Sequence, residues 1–202
     1  MASPHPTHRA VLASGNRGKL EELQYALQDL GWELVPQGNL NVDDADETGL
    51  TFVENALIKA RHAAEITGLP SIADDSGLVV PALDGQPGIY SSRYSGEGDI
   101  GNNRKLLTAM SGLSGDSRRA WFVCVLVFLQ HSSDPSPIIA EGTWLGRIAS
   151  EPRGDQGFGY DPLFVPDHTS RHAAELSPAE KRATSHRGLA VDALKRLLEQ
   201  RA

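Results

Sequence analysis

"RAVLASGNRGKLEELQYALQDLGWELVP", residues 9–36, contains a helical pattern between two strand patterns. Arg9 to Ser14 is a β-prone, largely apolar run that reads as a buried strand, and Gly15-Asn16 reads as the turn that ends it. Leu20, Leu23, Leu27 and Leu30 then recur at the spacing of one helix face until Gly31 stops the helix. Trp32 to Pro36 reads as a second strand. Strand, helix and strand in so short a span predict an α/β architecture.

The flanking sequence extends that alternation. Residues 37–50 are polar and acidic, hence a loop. Thr51 followed by Glu54 is a capping-box signature, opening a helix through Ala56, Leu57 and Ala60 to Gly68. "PSIAD" and "GLVV" are short strand candidates on either side of Asp74 and Asp75, with Ser76-Gly77 read as a turn. The segment 84–100 is rich in glycine, without helical period, and reads as loop. A helix is expected around 101–111, then strands near 118–130 and 138–149 joined as a hairpin by "HSSDPSP". Residues 150–171 read as loop, "SPAE" (177–180) is a second capping box, and "LAVDALKRLLEQ" is amphipathic. The whole predicts a mixed-sheet α/β domain with glycine-rich loops forming one wall of a cleft.

Composition narrows the class. The chain has 202 residues, 40% hydrophobic and 22% charged, which is ordinary for a globular protein with a sizeable core. A net charge of −7 argues against a general nucleic-acid binder but leaves room for a small anion in a local basic pocket. Cys124 is the only cysteine, so no intrachain disulfide can form and a reducing cytoplasm is the simplest setting. The longest apolar run, "AWFVCVLVFL" (120–129), is about half of what a membrane helix needs. "MASPHPTHR" lacks the apolar stretch of a signal peptide; residues 1–8 are expected to be a disordered tail and 9–202 a single domain.

Five polar clusters invite a ligand. In "SGNRGK" (14–19), Arg17 and Lys19 stand in or near a first helical turn, where cations oppose the dipole unless an anion binds there. The spacing is not that of a Walker loop. Asp43, Asp44, Asp46 and Glu47 crowd the loop before the helix carrying Lys59. These acids either complement the helix dipole or supply one carboxylate to a hard cation such as Mg²⁺. Asp74 and Asp75, if extended, point to opposite faces, so one is left to meet a ligand and the other to make structural hydrogen bonds. "GDQGFGYDP" (154–162) lacks the order of a dinucleotide fingerprint but offers aromatic rings for a base and Asp161 as an acceptor. In "KRATSHRGLA" (181–190), Ser185 is placed to cap the final helix, setting His186 and Arg187 at a second helix start. Carboxylates for a metal, cations for phosphates and an aromatic loop suit a magnesium–nucleoside triphosphate. No G-x-S-x-G elbow and no zinc spacing is present.

At these residues the sequence resembles the inosine triphosphate pyrophosphatase family, also called dITP/XTP pyrophosphatases. The matching segments are "SGNRGKLEEL", "ETGLTFVENALIKAR", "ADDSGLVVPALDGQPGIYSSRYSG", "GFGYDPLF" and "SHRGLA", in family order from residue 14 to 190. The resemblance implies an elongated mixed β-sheet flanked by helices, two lobes with the active-site cleft between them, and a cytoplasmic homodimer. It implies Mg²⁺-dependent hydrolysis of ITP, dITP and XTP to monophosphate and pyrophosphate, with no nucleic-acid or membrane partner. By motif position Asp75 is expected to bind metal and act as general base, with Glu47 as second metal carboxylate and Ser76 contacting substrate. Ser14, Gly15, Asn16, Arg17, Gly18 and Lys19 are expected at the triphosphate, with Lys59 and Lys181. Phe158, Gly159, Tyr160 and Asp161, with His186 and Arg187, are expected to hold the purine.

Overall fold

The computed structural model describes residues 8–14 and 17–201, without the side chains at positions 17 to 19 and 22. Its strands are β1 (His8–Leu12), β2 (Trp32–Pro36), β3 (Ser71–Val79), β4 (Arg119–Leu129), β5 (Ile138–Ile148) and β6 (Phe164–Pro166). Its α-helices are α1 (Arg17–Leu27), α2 (Phe52–Thr67), α3 (Gly98–Ala109), α4 (Pro178–Thr184) and α5 (His186–Glu199). Among the described residues the strands form one sheet in the order β2-β1-β3-β4-β5-β6, flanked by the helices. β1 is parallel to β2 and β3, and β5 is antiparallel to β6, so the sheet is mixed as predicted. β4 and β5 are neighbours joined by residues 130–137, too short a link for a parallel crossover, which makes them the expected hairpin.

By internal contacts the chain divides into two compact units. The first comprises residues through Asp75, Val125–Glu141 and the segment from Ala190; the second comprises Ser76–Cys124 and Gly142–Leu189. β3, β4, β5 and α5 each contribute residues to both. In the first unit, Gln24 of α1 covers the free edge of β2. Its Nε2 donates to the Trp32 carbonyl at 2.9 Å and its Oε1 accepts from the Leu34 N–H at 2.7 Å, so an otherwise open strand edge is closed. α2 is capped as its sequence predicts, with Thr51 accepting from the Glu54 N–H and Gly68 in the left-handed conformation at its end. In the second unit Leu78, Leu106, Met110, Phe122, Trp144, Phe164 and Leu176 belong to one buried cluster.

Three expectations change. β3 runs unbroken through Asp74, Asp75, Ser76 and Gly77, with no turn at Ser76-Gly77. β1 accompanies β3 only to Ile72; beyond it β4 remains the neighbouring strand and the Leu78 N–H donates to Ser91 Oγ at 2.8 Å, contacts that outweigh the weak turn preference of a Ser-Gly pair. His8, assigned by sequence to the disordered tail, is the first residue of β1 and donates its N–H to the Gly31 carbonyl at 3.0 Å; residues 1–7 lie outside the described residues. β6 lies where the sequence reads as loop, because three residues are too few to show a period. Among the described residues no helix is long and apolar enough to cross a membrane.

The capping box of α4 supplies a pH test. Arg171 pairs with Glu180, and the Ser177 N–H and hydroxyl donate to the same carboxylate, holding it at about 2 against an ordinary 4.5. A depressed carboxylate stabilises the fold above its unfolded value and loses that contribution as pH falls toward its folded value. Glu180→Gln is therefore expected to be less stable than the parent in urea at neutral pH, with a gap that narrows as pH drops from 4.5 toward 2. A gap independent of pH would show that the carboxylate's charge is not what the box uses.

Candidate active site

In the first unit, three segments meet at one ammonium group. α2 carries Asn55 and Lys59 one turn apart, hence on the same helix face. Lys59 Nζ lies 3.0 Å from Glu47 Oε1 and 3.3 Å from Asp75 Oδ1. Glu47 comes from the acidic loop and Asp75 from β3. Of the other loop acids, Asp44 accepts from the Gln37 side chain at 2.6 Å. Asn55 ties the loop to the helix by accepting the Gly49 N–H at 2.8 Å.

Asp75 is only 8% exposed, and Asp74, on the opposite face of the strand, is buried as well. Asp75 Oδ2 and Asn55 Nδ2 are both buried without a hydrogen-bond partner. Burial pushes the Asp75 carboxyl above the usual aspartate range; Lys59 pulls it back and Glu47 adds to the rise. For Lys59, burial pulls downward, yet Asp75, Asp74 and Glu47 together hold the ammonium above its ordinary value. Parallel pairing of Leu12 with Ile72 sets Ser14, two residues on, level with Asp74 past the carboxyl end of β1. Gly15 and Asn16 of the expected triphosphate loop lie outside the described residues, as do the side chains of Arg17 and Lys19 and the surroundings of Gly18.

In the second unit Lys181, expected at the triphosphate, stands with Asp161 and Arg187 of the expected base-binding set around Phe158, which is 57% exposed. Lys181 Nζ and Arg187 Cζ lie 4.8 and 5.4 Å from its ring centroid. Asp161 accepts from the Phe158 N–H at 2.8 Å and forms an ion pair with Lys181. A Cβ at Gly157 would run into the Asp161 carboxylate, so only glycine allows this turn to close. Tyr160 is buried and its hydroxyl donates to the Ser91 carbonyl at 2.9 Å; it anchors the turn rather than presenting a ring to solvent. His186 and Arg187 open α5, with Ser185 Oγ accepting from the Gly188 N–H at 3.3 Å as the cap. His186 stacks on Phe122 with centroids 4.7 Å apart and planes 11° apart. Arg187 Nε is buried without a hydrogen-bond partner. Ser76 follows Asp75 on β3 and is half-buried.

Sequence reading missed three polar residues that shape these sets. Asn55 was legible in its four-residue spacing from Lys59. Asp99 and Asn103 of α3 show the same spacing, but their segment was read as loop up to residue 100. Asp99 Oδ2 accepts the Gly159 N–H and Asn103 Nδ2 donates to the Gly159 carbonyl, both at 2.7 Å. Among the described residues no group of three or more His, Cys, Asp or Glu side chains is arranged to hold a metal; Glu47 and Asp75 form a pair with Lys59.

A family model described as the Ham1 family matches residues 10–197. A dITP/XTP pyrophosphatase of Xanthomonas oryzae pv. oryzae is 56% identical over 190 residues, 93% of this chain and 96% of its own length. A dITP/XTP pyrophosphatase of Shigella flexneri is 55% identical over 188 residues, 92% of this chain and 95% of its own. The solved structure of a HAM1 protein from Coxiella burnetii superposes with a TM-score of 0.92 at 49% identity, covering 96% of this chain and all of that one.

Lys59→Met would leave Glu47 and Asp75 facing each other with no cation. Breaking one partner out of a largely buried ionic group costs about 3 kcal/mol, and that loss is expected near neutral pH. The Asp75 carboxyl, already raised by burial, loses its opposing cation and rises further. A raised carboxyl weighs on the fold increasingly as pH climbs from its unfolded value to its folded one, so the deficit is expected to shrink as pH falls toward the ordinary aspartate value of 3.8. Denaturant melts at the two pH values check it; equal deficits at both would mean that charge is not the cause.

Proposed function

The chain belongs to the Ham1 family, and from that premise we propose that it hydrolyses non-standard purine nucleoside triphosphates, ITP, dITP and XTP, to the monophosphate and pyrophosphate. This clears deaminated purines before they enter DNA or RNA. The observation that carries the reading is the Glu47–Lys59–Asp75 group, in which a buried carboxylate keeps one oxygen without a partner. Three strands and a helix that contribute to both units support treating residues 8–201 as one catalytic domain.

Water attacks the α-phosphorus, its proton passes to a base, and the bond to the β-phosphate oxygen breaks to release pyrophosphate. Asp75 is that base: burial raises its proton affinity above an ordinary aspartate, while Lys59 keeps it ionised. Glu47 and the unpartnered Asp75 Oδ2 fit a hard divalent cation, because both are carboxylate oxygens and such ions complete their shells with water and phosphate. We assign Mg²⁺ to this pair; when bound it neutralises charge developing on the departing pyrophosphate. Lys59, Lys181 and the 14–19 segment supply cations and N–H groups to the triphosphate, and Ser76 a hydroxyl.

The base falls to the second unit's residues. Phe158 offers an exposed face for stacking, and Arg187, with Nε unpartnered, offers a donor to the 6-oxo group of hypoxanthine and xanthine. Adenine presents an amino group there and would leave the donor unpaired, a mismatch that can discriminate by about 10⁴. Asp161, engaged by Lys181 and the Phe158 N–H, shapes the turn, and His186 stands next to Arg187 at the start of α5. The family resemblance supports a homodimer, and a lone buried cysteine accords with the cytoplasm.

The test is turnover of ITP, XTP, GTP and ATP with Mg²⁺, reading pyrophosphate and phosphate separately. Pyrophosphate from ITP and XTP is expected, with ATP nearly inert, and Asp75→Asn is expected to lower kcat by about 10²–10⁴. Free phosphate as the direct product would overturn the reading.

A further inference from the structure

The turn that carries Phe158 has little conformational preference of its own. Gly157 and Gly159 flank it with φ of 80° and 61°, values at which glycine is permissive and other residues are strained. An exposed ring between two such residues holds one orientation only if more than the glycines does the holding. Lys181 and Arg187 lie over the ring, and the Asp161 N–H closes the turn on the Phe158 carbonyl at 3.2 Å. Tyr160 is anchored to Ser91 on one side and Asp161 takes the Phe158 N–H. The remaining peptide, that of Gly159, is gripped on both its polar groups by α3.

Asp99 Oδ2 accepts the Gly159 N–H, while Asn103 Nδ2 donates to the Gly159 carbonyl and to the Asp99 carbonyl, each at 2.7 Å. Asn103 Oδ1 is buried without a partner. Turning that amide over would set its oxygen against two carbonyl oxygens. The two acceptors thus dictate the orientation, and the unpaired oxygen is the cost of it. A side chain kept at such a cost, one helical turn from a carboxylate holding the same residue, serves the turn rather than the helix.

We propose that Asp99 and Asn103 are positioning residues for the purine: by fixing Gly159 they set the plane of the Phe158 ring before the nucleotide arrives. This rests on the reading that Phe158 stacks on the base. Preorganising the ring removes an ordering cost from binding, so the clamp acts on affinity for base-bearing ligands and not on the phosphate chemistry. The competing account is that Asp99 merely favours the N-terminus of α3 through its charge. The two accounts part at Asp99→Asn, which loses the charge but keeps an oxygen to accept the Gly159 N–H.

The experiment measures KM and kcat for ITP, with inhibition by IMP and by pyrophosphate, in the parent, Asp99→Ala, Asp99→Asn and Asn103→Leu. Asp99→Ala and Asn103→Leu are expected to raise KM for ITP and Ki for IMP about tenfold, with kcat within about twofold and the pyrophosphate Ki unchanged. Asp99→Asn is expected to stay within about threefold of the parent. Asn103→Leu also removes the unpaired oxygen, so its melting temperature should hold while IMP affinity falls. If IMP and pyrophosphate weaken together, or Asp99→Asn fails as Asp99→Ala does, the clamp is refuted. Parent-like KM in both Asp99→Ala and Asn103→Leu refutes it alone, whereas a parent enzyme that does not turn over ITP removes the function and the clamp with it.

Discussion

Asp75 places a negative charge where little water reaches it, and Lys59 is the group that makes this tolerable. An ionised carboxylate at 8% exposure is costly unless a cation stands close, and here the cation is itself partly buried and shared with Glu47. The result is mutual dependence among three segments. The acidic loop is drawn in by Glu47, α2 supplies the ammonium, and β3 fixes the aspartate by its ladder. Asn55 adds an uncharged tie by accepting the Gly49 N–H, so the loop is held even where the ion pairs are screened. Because β3 runs straight through the two aspartates, their faces alternate, and Asp74 adds its charge to the field on Lys59 from the other side of the strand.

Much of this was legible in the sequence. The strand–helix–strand opening, both capping residues Thr51 and Ser177, the stop at Gly68 and the Ser185 cap all follow from local chemistry, and local chemistry decides helix ends. The misreadings share a cause. Ser76-Gly77 has turn chemistry but lies in a strand that continues beside β4 and is held at Leu78 by Ser91, a long-range fact that no window of sequence contains. Tyr160 was read with Phe158 as a possible stacking ring; alternation cannot say which of two aromatics near a glycine faces the core. Asp99 lies in a glycine-rich segment that reads as loop, and the four-residue spacings Asn55–Lys59 and Asp99–Asn103 do not say what these side chains hold. What distinguishes them is the distant peptide they hold.

Three of the buried polar atoms without partners fall into two kinds. Asp75 Oδ2 and Arg187 Nε belong to side chains already committed to ionic or ring contacts, and each leaves open the atom whose chemistry a phosphate–metal group or a 6-oxo purine would satisfy. Asn103 Oδ1 is different: nothing about it favours a ligand, and it is unpaired only because its sister nitrogen has two acceptors to serve. Unsatisfied groups are expensive enough that a folded chain keeps few of them. On the proposed function, two of those kept here are explained by what binds, and one by what must be held still.

On the proposed function, the two units prepare for a nucleotide by different means. In the first, preparation is electrostatic: charges of opposite sign are assembled in a poorly solvated place, so the proton affinity of one carboxylate is set in advance by burial and by its neighbours. In the second it is conformational: a turn of glycines, which would otherwise sample many shapes, is pinned at the Phe158 N–H, at both polar groups of Gly159 and at the Tyr160 hydroxyl. Charge suits the unit that must move a proton, because proton transfer responds to field. Geometry suits the unit that must choose a base, because stacking and a single donor discriminate only when their directions are fixed. A glycine turn without its clamps would present the same residues in many arrangements and select weakly among purines.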